Sequence, residues 1–353
     1  MQKQIKKKGP LLNEKGELKQ AGYSKKMLLE YNRENIKSGK LRIKEWDYYL
    51  FYNKNYAVAL TVADNGYMGM LSASLIDFTT PCETTMSKIT LFPKGKLNTD
   101  KSTGEKINMP ATSLTGDVYF KNKAVEFEYT INKENRVCRA FYKNFQKGKD
   151  LEVCFTLTKE PEESMCIATP FEHKNAFYYN QKIVGFVADG YAKLGDETIE
   201  FSKKDTTGIL DWGRGVWTYK NTWYWGAGAG KIKGKMFGFN IGYGFGDTTA
   251  ASENMLFYDG KAHKLEDVSF NIPQTELGGD DFMKPWTFSS SDGRFEMQFT
   301  PIINRHSTID LKFLCSKQNQ VFGRFSGTAT LDDGTVLKIK DFVGFAEKVF
   351  NKW

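Results

Sequence analysis

Histidine is almost missing from this chain: His173, His263 and His306 are the only three in 353 residues. They lie far apart and form neither H-x-H nor H-E-x-x-H, so no metal site is expected. Cysteine is sparse as well. Cys82, Cys138, Cys154, Cys166 and Cys315 are odd in number and never arranged as C-x-x-C, which argues against a disulfide framework and suits free thiols in a reducing cytoplasm. No apolar run approaches the roughly 18 residues of a membrane span, and the start "MQKQIKKKGPLLNEKG" has charge but no apolar core. Neither integral membrane association nor a signal peptide is therefore expected. G-x-S-x-G is absent and no cysteine has a histidine close by, which leaves acyl transfer without support. Basic blocks interleaved with aromatics are also lacking, which disfavours nucleic acid as a partner.

What the chain does have is aromatic side chains, glycine and period-2 patterning. Lys+Arg exceed Asp+Glu by 50 to 42. Part of that excess is Lys3, Lys6, Lys7 and Lys8, in a segment without apolar periodicity, so residues 1–22 are expected to be a flexible basic tail. "SKKMLLEYNRENIKSGK" predicts a short helix, with Ser24 as its cap, Met27, Leu28 and Tyr31 on one face and Gly39 at its end. From Leu41 onward alternation takes over. Val125, Phe127, Tyr129 and Ile131 share a face, as do Leu151, Val153, Phe155 and Leu157, and again Phe295, Met297 and Phe299. Asp259-Gly260, Asp292-Gly293 and Asp333-Gly334 fall between such runs as hairpin signals. An all-β protein of antiparallel sandwiches or barrels follows, and the length suits two units. The polar stretch "FSKKDTTG" divides them, at 23–204 and 205–353. In "DFVGFAEKVFNKW" Phe342, Phe345, Val349 and Trp353 fall on a helical stripe, which predicts a C-terminal helix.

The stretch "DWGRGVWTYKNTWYWGAGAG", residues 211–230, concentrates four of the seven tryptophans. Gly230-Lys231 does not make a P-loop, because Trp225 stands where the first glycine should be and Ile232 where Ser or Thr should be. No helix follows to bind a dinucleotide phosphate either. Alternation places Trp223, Trp225, Ala227 and Ala229 on one face, with Tyr224 and the glycines on the other. After a turn near Lys233–Lys235, Phe237, Phe239, Ile241 and Tyr243 face one way, and Gly238, Asn240, Gly242 and Gly244 the other. Glycine within strands marks a bend or a close backbone approach, so this hairpin reads either as a barrel wall beside a cavity or as tight corner packing. Asp211 and Arg214 sit among the rings. They form a structural ion-pair or backbone network, or else Asp211 is an acid whose pKa is raised by apolar surroundings. Glu253 with Asn254, and Arg294 with Glu296, are further polar candidates, and no acid–base pair can be assigned from spacing alone.

"GILDWGRGVWTYKNTWYWGAG", "FGFNIGYGFGDTTAASENMLFYDGKAHKLEDVSF" and "PWTFSSSDGRFEMQFTPIINR" resemble the bacterial family known as domain of unknown function 2804, over most of the chain. More remotely, that family is similar to hydroxyneurosporene synthase (carotenoid hydratase) and tocopherol cyclase. The resemblance implies tandem lipocalin-like (calycin) barrels with a ligand cavity. It also implies that Asp211, with Trp212 and Gly213, matches an acid-containing motif of the hydratases; those relatives carry a His beside the Asp, where this chain has Trp212.

Three functions follow as expectations, all with a small molecule as partner and none needing a cofactor. The first is acid-assisted hydration or cyclisation of a hydrophobic isoprenoid- or lipid-like substrate. Here Asp211 donates the proton, Arg214 sets its charge state, Trp217, Trp223 and Trp225 shield a cation, and Asn240, Asn254 and Arg294 contact the ligand. The second is non-catalytic carriage of the same kind of ligand. The third is carbohydrate processing by a carboxylate pair drawn from Asp211, Glu253 and Glu296.

Overall fold

The computed structural model describes residues 2–311 and 314–352, the side chain of Leu311 excepted. Met1 and Trp353, counted above in the tail and the C-terminal stripe, lie outside the described residues. The alternating segments are strands, among them Val125–Ile131, Lys149–Thr158 and Phe295–Leu311. Asp259 and Gly260, at φ 52° and 81°, turn Met255–Tyr258 back onto Lys261–Lys264. Two successive positive φ values are what a two-residue hairpin turn requires, and Asp-Gly supplies them at low cost.

Two large antiparallel sheets result. The path of the first runs Val118–Lys121, Val125–Ile131, Arg136–Gln146, Lys149–Thr158, Phe177–Leu194, Thr207–Val216, Ile43–Tyr52, Tyr56–Asp64, Met68–Asp77 and Cys82–Leu91. It curls until Gln146 Nε2 reaches Thr84 Oγ1 on its far edge, at 2.8 Å. The second runs Lys261–Lys264, Met255–Tyr258, Lys235–Tyr243, Lys220–Ile232, Val336–Lys352, Leu314–Thr330, Phe295–Leu311, Trp286–Ser290 and Val268–Asn271. Its ends also converge, with the Tyr243 and Phe270 rings 5.5 Å apart. Each sheet encloses its own core, Phe51, Phe127, Phe155 and Trp212 in the first and Phe239, Trp286, Phe299 and Phe325 in the second. A third core lies between the sheets, where Leu50, Tyr178 and Ile209 meet Trp225, Ala227 and Phe345.

The structure corrects four expectations. Residues 24–39 form no α-helix: Gly22–Ser24 is a strand paired with Met165–Pro170, and Arg33–Asn35 is a single 3-10 turn. A free sheet edge offered this segment a ladder, and tertiary pairing overrides weak helix propensity. The C-terminal stripe is the strand Val336–Lys352, bonded on both sides, to Lys220–Ile232 and Leu314–Thr330. Phe345 and Val349, four residues apart, satisfy period 2 as well as a helical stripe, and short apolar patterns do not separate the two. The basic N-terminal segment is anchored rather than flexible. Ile5 and Leu11 are buried, and Lys3 and Ile5 donate backbone bonds to Ala250 and Tyr23 at 2.7 Å. Finally, Thr207–Val216 belongs to the first sheet, between Phe177–Leu194 and Ile43–Tyr52, so the chain changes sheets between Val216 and Lys220 rather than at 204/205.

The hairpin glycines serve close approach. A Cβ on Gly238 would lie 2.7 Å from Val184 of the first sheet, and one on Gly228 would meet the Phe239 ring at 2.9 Å. The space left by the glycines of Lys220–Ile232 is thus filled by the second core, and open volume lies on the tryptophan face instead. Gly238→Ala is expected to lower stability by about 1–3 kcal/mol through overpacking against Val184. Denaturant midpoints check this, with Val184→Ala restoring most of the loss in the double variant.

Candidate functional site

A cavity of about 480 Å³ opens between the two sheets, not inside either. The first sheet contributes Trp46, Tyr48, Met68, Met70, Tyr178 and Asp211; Trp217 and Phe245, outside the strands, and Trp223, Trp225, Gln320 and Glu347 of the second sheet close it. Aromatic rings cluster on the wall and interlock: Trp217 stands edge-on to Trp46, Tyr178 and Trp223, with centroids 5.3–5.8 Å apart. Gly213 makes room for this, because the Trp46 ring occupies the place a Cβ would take.

Asp211 is on the wall, as the sequence suggested, but its partner differs. Lys182 lies directly across the ladder from Asp211, and the two form an ion pair of 2.9 Å. Asn180 Nδ2 donates to the same carboxylate oxygen at 2.6 Å. The ammonium also sits 3.9 Å from the centre of the Trp225 ring, a cation–π contact across the sheet interface. Arg214, three residues on, points to the opposite face because side chains alternate along a strand. There it is fully buried, paired with Asp47 at 2.9 Å, and donates to the carbonyls of Trp46, Gly213 and Pro110. The expected Asp211–Arg214 network is therefore two separate pairs on two faces.

The remaining expected residues are placed differently. Glu253 is buried behind the wall, where Tyr178 donates to its Oε2 at 3.5 Å and its Oε1 has no hydrogen-bond partner among the described residues. Burial first, opposed by Lys182 and reinforced by Asp211, pushes its pKa up to about 7. Asn240 and Asn254 hold backbone rather than ligand. Trp225 Nε1 donates to Asn240 at 2.7 Å, Asn240 donates to the Glu253 carbonyl, and Asn254 accepts from Gly242 N at 2.7 Å. Arg294 binds the Thr330 and Lys264 carbonyls and Asp332. Glu296 is exposed on a strand position opposite Ser289 and Thr328. Of the three carboxylates expected to act on a sugar, only Asp211 reaches the cavity.

Glu347 is the acid that sequence reasoning missed. Its Oε1 accepts from Trp223 Nε1 at 3.0 Å and its Oε2 from Gln320 Nε2 at 2.8 Å. Burial raises its pKa above the ordinary carboxylate value, against the lowering pull of those two donors, Arg305 and Lys182. The Tyr48 hydroxyl lines the same cavity from the first sheet, with Gln320 beside it. Two signals were present in the sequence. Glu347 interrupts the alternating set Val343, Phe345, Val349 once the segment is read as a strand, and Asn180-Gln181-Lys182 interrupts the apolar run "FYYNQKIVGFV".

Two expected outcomes follow. Arg214→Met leaves Asp47 buried without its cation and should cost about 3–5 kcal/mol, measured as a lower denaturant midpoint. Ligand binding in the cavity should be unchanged. For Glu253, both folded and unfolded states hold the proton below the ordinary carboxylate value of 4.5, while between 4.5 and about 7 only the folded state holds it. Stability must then fall as pH rises through that window. In Glu253→Gln this part of the fall should vanish from a comparison of unfolding at about pH 5 and about pH 8.

Comparison with known proteins gives the following. The sequence model of the family described as domain of unknown function (DUF2804) matches residues 2–353. No match is found among curated proteins. Kievitone hydratase from Nectria haematococca is 10% identical, covering 88% of this chain and 88% of that chain with a TM-score of 0.46. An ATTH-like protein from Nitrosomonas europaea is 13% identical, covering 91% of this chain and 96% of that chain with a TM-score of 0.43. No helix among the described residues is long and apolar enough to cross a membrane.

Proposed function

We propose that this chain, which belongs to the domain of unknown function 2804 family, takes a hydrophobic small molecule into the cavity between its sheets and performs acid-assisted, non-redox addition or cyclisation on it. One observation carries the proposal: an aromatic-walled cavity of about 480 Å³ with two carboxylates, Asp211 and Glu347, on its wall. That volume is in the range of small-molecule sites, and the rings are joined on the wall by polar side chains such as Lys182, Arg305, Gln318 and Gln320 that can orient a ligand.

The two carboxylates have different surroundings, which supports different roles. Glu347 is shifted toward its protonated form by burial and takes the donor role that the sequence suggested for Asp211. Asp211, held by Lys182 and Asn180, takes the acceptor role. In a hydration, the Glu347 proton adds to a carbon–carbon double bond and the adjacent carbon becomes cationic. Water bonds to that carbon and its released proton passes to Asp211, so one water is added in total; the proton returns to Glu347 through solvent. In a cyclisation, a hydroxyl of the ligand replaces the water and releases its proton to Asp211, or a second double bond takes its place and the new cation it leaves loses a C–H proton to Asp211. Trp217, Trp223 and Trp225 present electron-rich faces to the transient cation. A reducing cytoplasmic setting belongs to the same reading, supported by five cysteines that stand unbridged.

Native mass spectrometry of protein purified from its own host tests this. Wild type should carry an apolar compound that Trp223→Ala loses. Glu347→Gln and Asp211→Asn should keep a ligand but hold it in unreacted form, heavier or lighter than the wild-type species by the mass of the added or lost group, or isomeric with it. If both variants carry the same compound as wild type, and wild type does not convert it, the protein is a carrier and the catalytic roles fail.

A further inference from the structure

We propose that the mouth of the cavity docks on an anionic lipid surface, from which the ligand enters; this rests on the reading of the cavity as a site for apolar molecules. The edge strand Cys82–Leu91 is bonded on one side to Met68–Asp77 and ends that sheet. On it Ile89 stands opposite Met70 and Leu91 opposite Met68, and Ile89, Met68 and Met70 line the cavity. Period 2 therefore places Leu91 on the same face, one step further out. Leu91 is 77% exposed, Phe92 57%, Leu41 44% and Ile89 42%. Leu41 joins this group through the neighbouring hairpin. Gly66 packs on it so closely that a Cβ would lie 2.8 Å from the Leu41 Cα, and the Gly66 and Tyr67 carbonyls accept from Lys94 N and Phe92 N at 3.1 and 2.9 Å. Across the mouth, the cavity-lining Ile309 is 47% exposed; Asp310 beside it pairs with Lys317 at 4.0 Å.

On the first-sheet side of the mouth the charges have one sign, while Asp310 stands across it. Lys40, Lys94 and Lys96 are exposed, and neither 40–44 nor 86–96 contains a carboxylate. Bulky apolar side chains flanked by exposed lysines are the composition that binds an anionic interface, with the rings and aliphatic chains entering the acyl boundary and the ammonium groups meeting head-group phosphates. The position of the patch at the rim of the cavity gives an apolar molecule a route from the acyl region into the site without crossing water.

The test uses the full chain in sedimentation with vesicles of phosphatidylcholine alone and of phosphatidylcholine with phosphatidylglycerol. Wild type should bind the mixed vesicles and not the neutral ones, and added salt should release it. Lys94→Glu/Lys96→Glu and Leu91→Ser/Phe92→Ser should each weaken binding at least about tenfold. Both variants should still bind the probe anilinonaphthalene sulfonate, read as tryptophan quenching that Trp225→Ala reduces. Wild type that binds the probe but ignores both vesicles, or binds them equally, overturns the docking while leaving the cavity reading intact. Vesicle binding without probe binding removes the cavity reading and leaves the docking. Self-association in ultracentrifugation, abolished by Leu91→Ser/Phe92→Ser without any vesicle binding, would give the patch to a second copy of the chain and overturn the proposal.

Discussion

An ammonium group removed from water has to be answered by charge or π-density, and the burial of Lys182 organises everything around it. Its pair with Asp211 is a direct cross-strand one, so it locks the register of Thr207–Val216 against Phe177–Leu194. A slip of one residue would turn Asp211 into the first core and leave the lysine unpaired. Its contact with the Trp225 ring ties the first sheet to the second, and its field acts on both Glu253 and Glu347. Register, sheet packing and the acidity of the cavity wall thus depend on one cation.

The strand Thr207–Val216 separates two tasks by parity alone. Its odd residues, Asp211, Gly213 and Gly215, face the cavity side, where a carboxylate and the absence of side chains admit Trp46 and its neighbours. Its even residues, Trp212, Arg214 and Val216, face the first core, where Arg214 answers Asp47 and lies 4.2 Å from the Trp212 ring. One face can change its chemistry while the other keeps the sheet together, since the two charge pairs share no partner.

The location of the cavity follows from how the aromatic residues are spent. Phenylalanines are concentrated in the cores that the two curled sheets enclose. Trp212 and Trp286 belong to those enclosed cores, whereas Trp46, Trp217, Trp223 and Trp225 stand between the sheets and hold them apart where small residues such as Ala63, Ser72 and Ser87 line the wall. Deeper in the same interface, Ala227, Ala229 and Gly238 let the sheets meet closely. The interface is tight at one end and hollow at the other.

The sequence by itself determined that the chain is all-β and antiparallel, which residues of the 220–244 hairpin share a face, and that Asp211, Trp217, Trp223 and Trp225 belong together. Period-2 alternation and Asp-Gly turns are local properties, readable from neighbours along the chain. It did not separate helix from strand at Ser24–Gly39 or at the C-terminus, where short apolar patterns satisfy both periods and the deciding hydrogen bonds come from distant edges. Only the tertiary structure decided that Lys182 rather than Arg214 answers Asp211, that Glu253 lies behind the wall, and that Glu347, 136 residues beyond Asp211 in the chain, joins it at one cavity. Those are choices of partner across space, made by the register of strands and the meeting of two sheets.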